Sequence, residues 1–219
     1  FLLAFLPIVS FGAFEDTGGS ARYQGLANAA VAAADDLGAI SYNPAGIAVS
    51  YDKERRNNRY VEVYGMFDKP FSKLFDYEGN SITRFQGAVL LPFTYKFGKF
   101  FSGSAVALSF QNQKTTVSDL LSKELSYSEG IATFVFAKAF DNFPSPGTRL
   151  AVGLGLNYFF TSVGGDATYT SVLESSQAIT KAVNGGLAID VGANYQINRD
   201  MRVAFALQNF NAPKIGYTT

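Results

Sequence analysis

Few residues in this chain are equipped for acid–base or nucleophilic chemistry, because it contains no His and no Cys. Their absence removes zinc coordination of the usual kind and His-based acid–base or triad catalysis. The adjacent carboxylates Asp35 and Asp36 could mark a cation site. Asp36, however, directly precedes Leu37 to Tyr42, where its oxygen can cap a short helix, so a cap with a solvated neighbour is the simpler reading. Gly153 and Gly155 have the spacing of the start of a nucleotide loop, but they alternate along a strand pattern with no helix after them, and they read instead as room for a packed segment. Lys53, Arg55, Arg56 and Arg59 could meet nucleic acid or anionic lipid, and read better as a solvated linker. Pro92 falls within the strongest strand pattern. There it has no N–H to give, so it marks either a local break in the wall or a harmless bulge.

The elements that must position these residues are strands. From Phe85 to Phe97 the odd positions are Phe85, Gly87, Val89, Leu91, Phe93, Tyr95 and Phe97, and the even positions are smaller or polar. Thr148 to Ser162 alternates in the same way, with Leu150, Val152, Leu154, Leu156, Tyr158 and Phe160 on one face. So do Leu187 to Ile197 and Met201 to Leu207, and more weakly Gly103 to Gln113 and Ser126 to Phe140. Period-two alternation is the signature of a strand with two unlike faces. A soluble sandwich also alternates, but ordinary strands run about 5–6 residues. These runs hold for about 10–15, enough to cross an outer membrane at a tilt near 45°. Tyr95, Phe97, Tyr158, Phe160 and Tyr195 lie near run ends, where interfacial aromatic girdles belong.

The connections point the same way. With Arg59 to Phe67 as the first strand, Asp68 to Ser81, Lys114 to Leu125 and Gly164 to Lys181 are long links. Gly98 to Ser102, Asp141 to Gly147 and Asn198 to Asp200 are short ones. Long outer loops alternating with short periplasmic turns are typical of outer-membrane barrels. Seven strands are an odd number, and an open edge is untenable in lipid, so the expectation is a fragment of a larger barrel. Phe1 to Phe11 (FLLAFLPIVSF) is too short to span a membrane as a helix and resembles the apolar core of a secretory signal, with cleavage after Gly12. A net charge of +0 argues against nucleic acid as a partner.

Gly18 to Ser50 is built differently, rich in Ala and Gly and too small-sided to form its own core. Asn43 can cap a second short helix with Pro44 at its first position. The sequence Ala34-Asp35-Asp36, followed by Tyr42-Asn43-Pro44-Ala45-Gly46-Ile47, resembles the N-terminus of the FadL-like outer-membrane transporters and of the related PorV/PorQ barrels. The stretch Val203 to Phe210 (VAFALQNF) is similar to a mid-barrel strand of the PorV-like branch. The resemblance implies a hatch folded inside a fourteen-stranded barrel, with Asn43, Pro44, Ala45 and Gly46 as the hatch motif beside a wall kink that opens sideways.

The expectation is therefore an all-β chain, a transmembrane antiparallel barrel with a short helical hatch, in the cell outer membrane of a Gram-negative-type envelope. Its divisions are a signal remnant over 1–12, a hatch over 13–57 and about seven barrel strands over 58–219. Asp35 and Asp36 serve the hatch helix cap, and Pro92 marks a wall kink. The function implied is uptake of long-chain fatty acids or other hydrophobic small molecules, with no catalysis, metal or cofactor. The alternative is a PorV-like component of a secretion system. The partners are the lipid bilayer and either a fatty acid-like ligand or secretion-system proteins.

Overall fold

In a strand, alternation of large apolar with small or polar residues sends the two kinds to opposite faces. The computed structural model describes residues 30–49, 61–69, 81–93, 101–118, 124–165, 184–198 and 200–211. The strands are β1 (Glu62–Asp68), β2 (Ser81–Pro92), β3 (Ser104–Ser118), β4 (Glu124–Asp141), β5 (Arg149–Gly165), β6 (Asn184–Gln196) and β7 (Arg202–Leu207). They form one antiparallel seven-stranded sheet in sequence order, each strand beside the next. Among the described residues the chain is all-β with very little helix. Before the sheet come a 3-10 turn, Leu37–Ser41, and a single helical turn, α1 (Gly46–Val49). The proposed signal remnant and the basic residues Lys53, Arg55, Arg56 and Arg59 lie outside the described residues.

Register shows how completely the faces separate. One cross-strand row runs Leu91, Val106, Phe136, Leu154, Val191 and Leu207. Two residues along, the next row on the same face is Val63, Val89, Leu108, Phe134, Leu156 and Ile189. This face is bare: Val63, Phe67, Leu108, Leu154 and Phe205 are all exposed. The opposite face carries the core. There Leu90, Ala105, Ala107, Val135, Ala137, Ala139 and Ala151 pack with Ala34, Ala39, Ile40, Ala45, Ile47, Ala48 and Val49 of the N-terminal segment.

Several strand limits differ from the sequence reading: β2, read over Phe85 to Phe97, runs from Ser81 to Pro92, and residues 94–97 with Tyr95 and Phe97 lie outside the described residues. The expected long polar link from Lys114 to Leu125 is mostly strand, because β3 continues to Ser118 and β4 starts at Glu124. Thr115, Thr116 and Val117 pair with Tyr127, Ser126 and Leu125. Beyond the apolar band the alternation signal disappears, although the backbone ladder carries on. The stretch from Val203 to Phe210 is a strand only to Leu207. Asn209 then turns to φ 50°, a left-handed conformation that Asn tolerates better than most residues. The chain rejoins β6 through Phe210 N–H to the Ile189 carbonyl at 3.0 Å.

The connections after β4 and before β7 form as read, whereas the link expected at Gly98 to Ser102 is wider, since β2 ends at Pro92 and β3 starts at Ser104. In the connection after β4, Asn142 (φ 55°) and Gly147 (φ 83°) take left-handed conformations, and Thr148 Oγ1 donates to the Ser145 carbonyl at 2.7 Å. In the turn before β7, Asn198 Oδ1 accepts from Asp200 N at 2.9 Å and Met201 N at 2.7 Å, the Asx pattern expected of an asparagine at a turn.

Candidate functional site

The N-terminal segment is positioned by its own caps and then by the sheet. Asp36 Oδ1 accepts from Gly38 N at 2.8 Å and so caps the 3-10 turn. Asp35, read from sequence as a solvated neighbour, instead faces Arg202 Nη1 at 3.9 Å. Asn43 is fully buried, and its Oδ1 accepts from Ala45 N at 3.0 Å. Its Nδ2 donates to the carbonyls of Val31 (3.0 Å) and Ala193 (3.2 Å). One side chain thus closes the turn that leads into α1, ties the segment to itself and fastens it to β6. The helix α1 starts at Gly46, later than the helix with Pro44 at its first position that the sequence predicts. A buried amide with these partners carries little desolvation cost.

The seat for this motif is a row of small residues: Pro92, Ala105, Ala137, Gly153, Gly192 and Ala206. A Cβ on Gly153 would run into the Pro44 carbonyl, and one on Gly192 would lie 2.8 Å from Pro44 Cδ and 3.0 Å from Ala45 N. Any side chain at either position would therefore push the motif off the sheet. Gly46 is confined from the other side, because its Cβ would meet Ala39 Cβ at 2.7 Å. Gly155 makes room for something else, since its Cβ would lie 3.1 Å from Asp190 Cβ.

Pro92 is the last residue of β2, opposite Ala105, at the end of that same row. The β2–β3 register runs through it unbroken, and Phe93 N–H continues to the Ser104 carbonyl at 2.9 Å. Amides alternate in direction along a strand, so position 92 would point its N–H toward β1. Pairing with β1 has already ended at Leu90, so the missing donor costs no ladder bond among the described residues.

Several fastening residues are not singled out by sequence. Arg149 is buried and donates Nη1 to the Val49 carbonyl at 2.8 Å and Nη2 to the Ala48 carbonyl at 3.0 Å. It thereby covers carbonyls that the end of α1 leaves open, where a cation is also favoured by the backbone dipoles. Its Nε lies 3.2 Å from Asp141 across the strand pair. Asn194 Nδ2 and Arg202 Nη1 both reach the Ala32 carbonyl, at 3.4 and 3.2 Å. Farther along the sheet, buried Asp190 accepts from Asn157 Nδ2 and from Asn209 N, both at 2.6 Å, and fixes the break after β7. The one available signal was a polar residue at an otherwise small-residue position. Which backbone each would reach depends on partners up to 170 positions away.

Between the 3-10 turn and strands β1 to β3 lies a cleft of about 480 Å³. Leu37, Ile40 and Ala88 give it apolar surface, and Asp36, Glu62, Tyr64, Gln86 and Ser109 give it polar groups. Among the described residues no group of three His, Cys, Asp or Glu side chains could hold a metal ion. No described helix is long and apolar enough to cross a membrane, which leaves crossing by strands untouched. Comparison with protein-family models, with curated proteins and with solved structures finds no match to this chain.

Proposed function

We propose that this chain is part of an outer-membrane barrel that admits hydrophobic small molecules past an N-terminal hatch, in the manner of the FadL-like transporters it resembles. The observation that carries this reading is the shape of the bare apolar band. On β5 the band runs from Leu150 to Phe160, with Val152, Leu154, Leu156 and Tyr158 between them on the same face. Ten residue steps at about 3.3 Å, tilted near 40°, give a height of about 25 Å, the thickness of the apolar belt on such barrels.

Both borders of the band have the expected chemistry. At one, Phe85, Phe110, Tyr158 and Phe160 form an aromatic cluster, with ring centroids 6.2 Å (Phe85–Phe110), 5.9 Å (Phe110–Phe160) and 6.3 Å (Tyr158–Phe160) apart. The next row beyond it on that face turns polar, with Thr83, Lys114, Ser128 and Ser162. At the other border the row is Phe140, Leu150, Tyr195 and Val203. Lys138 Nζ sits 5.6 Å from the Phe140 ring, as a snorkelling lysine does near an interface.

In this reading the seven strands belong to a larger closed barrel, lipid covers the bare face, and Asn43 to Gly46 hold the hatch against the inner wall. No residue is assigned to catalysis. The test is reconstitution of the full-length protein into lipid vesicles. The reading expects the protein to float with the vesicles and to speed entry of a hydrophobic fluorescent probe. Protein that stays soluble without detergent, with its apolar band covered by its own chain, would refute it.

A further inference from the structure

We propose that the cleft between the 3-10 turn and β1–β3 binds the head of an uncharged amphiphile bearing hydroxyl or amide N–H donors, and disfavours a fatty carboxylate. This rests on the transport reading for its biological setting, but its chemistry comes from the cleft alone. The volume of about 480 Å³ falls in the range of small-molecule sites. Leu37, Ile40 and Ala88 provide the apolar part such a site needs, with a few polar groups to orient the ligand.

The decisive group is Gln86. Its side chain lines the cleft and is 7% exposed, and its Oε1 has no hydrogen-bond donor among the described residues. A buried amide oxygen with no donor is an uncompensated desolvation, unlike the fully engaged Asn43 in the neighbouring core. A ligand O–H or N–H would satisfy it. The adjoining groups have the same polarity. Glu62 Oε2 accepts from Leu37 N at 3.3 Å and Asp36 Oδ1 accepts from Gly38 N at 2.8 Å, so two carboxylates line the cleft. No Lys or Arg is among its described lining residues. Ser109 and Tyr64 carry hydroxyls that can either donate or accept. A carboxylate ligand brings only acceptors and a negative charge to this surface, whereas a glycerol or amide head brings the donor that Gln86 Oε1 lacks among the described residues. Sites built around a specific hydrogen bond reject analogues that cannot make it far more strongly than apolar pockets reject a size change.

The test uses the full-length protein in lipid vesicles and equilibrium dialysis with two labelled probes of equal chain length, monodecanoylglycerol and decanoate. The expected result is saturable binding of the glyceride, at least tenfold tighter than decanoate. Gln86→Leu should weaken the glyceride about tenfold or more without lowering the folded fraction, because the amide it removes has an unpartnered oxygen in the free protein. Ala88→Phe, which fills the cleft and leaves Gln86 in place, should abolish binding, and it serves as the decisive variant should Gln86→Leu fail to fold. Equal or tighter binding of decanoate, absence of saturable glyceride binding, or unchanged affinity in either folded variant would overturn the proposal. Flotation and probe entry, read on the same vesicles, decide the transport reading separately. Vesicles that carry flux without glyceride preference sink only the cleft assignment, and glyceride binding by a protein that does not insert sinks only transport.

Discussion

The two faces of this sheet share one backbone and obey opposite rules. On the bare face the large side chains, such as Val63, Leu108, Leu154 and Phe205, are apolar and exposed. On the covered face the row beneath the Asn43–Gly46 segment is small, and its residues are set by a particular neighbour. Leu154 is 46% exposed, whereas Ala137 and Ala105 are fully buried beneath the Asn43–Gly46 segment. One face is matched to a solvent and the other to a specific piece of chain. Substitutions should therefore fail by chemistry on the first face and by volume or lost hydrogen bonds on the second.

The sharpest way to break this contrast is Leu154→Arg, near the middle of the bare band. In lipid it should destabilise by about 2–4 kcal/mol, read by urea titration of the vesicle-folded protein. If that face met water, an exposed substitution would stay within about 0.5 kcal/mol. On the covered face, Arg149→Gln removes two charge-assisted bonds to the α1 carbonyls. A loss of about 1.5–3 kcal/mol is expected, appearing as faster hydrogen exchange in residues 45–49 while the strands remain protected. Gly153→Val overfills the seat of Pro44 and should cost about 1–3 kcal/mol, with the N-terminal segment becoming open to limited proteolysis. Asp36→Ala removes the cap of the 3-10 turn and should cost about 1 kcal/mol. Gly65→Ala provides the smallest effect: a Cβ there meets nothing within 4 Å, so stability should stay within about 0.5 kcal/mol of the parent.

Much of the sheet was legible because strand periodicity is a local property. The face shared by Leu154 and Leu156 could be read from β5 alone, and the turns at Asn142 to Gly147 and at Asn198 from their own residues. Reading failed where the local signal lapses. The continuation of β3 through Lys114 to Ser118 carries no alternation signal, because its residues are polar outside the apolar band. The alternation from Met201 to Leu207 ends where β7 ends, whereas the resemblance of Val203 to Phe210 to a strand overruns it, because Asn209 turns to φ 50° and donates its N–H to Asp190. Of the candidate site, the caps at Asp36 and Asn43 were accessible, since each acts on a backbone N–H two positions away. Gly153 was read correctly as room for a packed segment and Gly155 was not, because the space beside Gly155 is taken by Asp190 from β6.

By itself, the sequence determined which residues share a face and where short turns and caps fall, because these follow from interactions within a few positions along the chain. It did not determine what each face would meet. That Gly153 and Gly192 lie beneath Pro44, that Arg149 closes the end of α1, and that Gln86 Oε1 is buried without a donor among the described residues were decided only by the tertiary structure. These contacts join positions roughly a hundred or more apart, or depend on how the N-terminal segment lies over the sheet. No local pattern encodes which distant backbone will arrive, since that depends on the register of several strands at once.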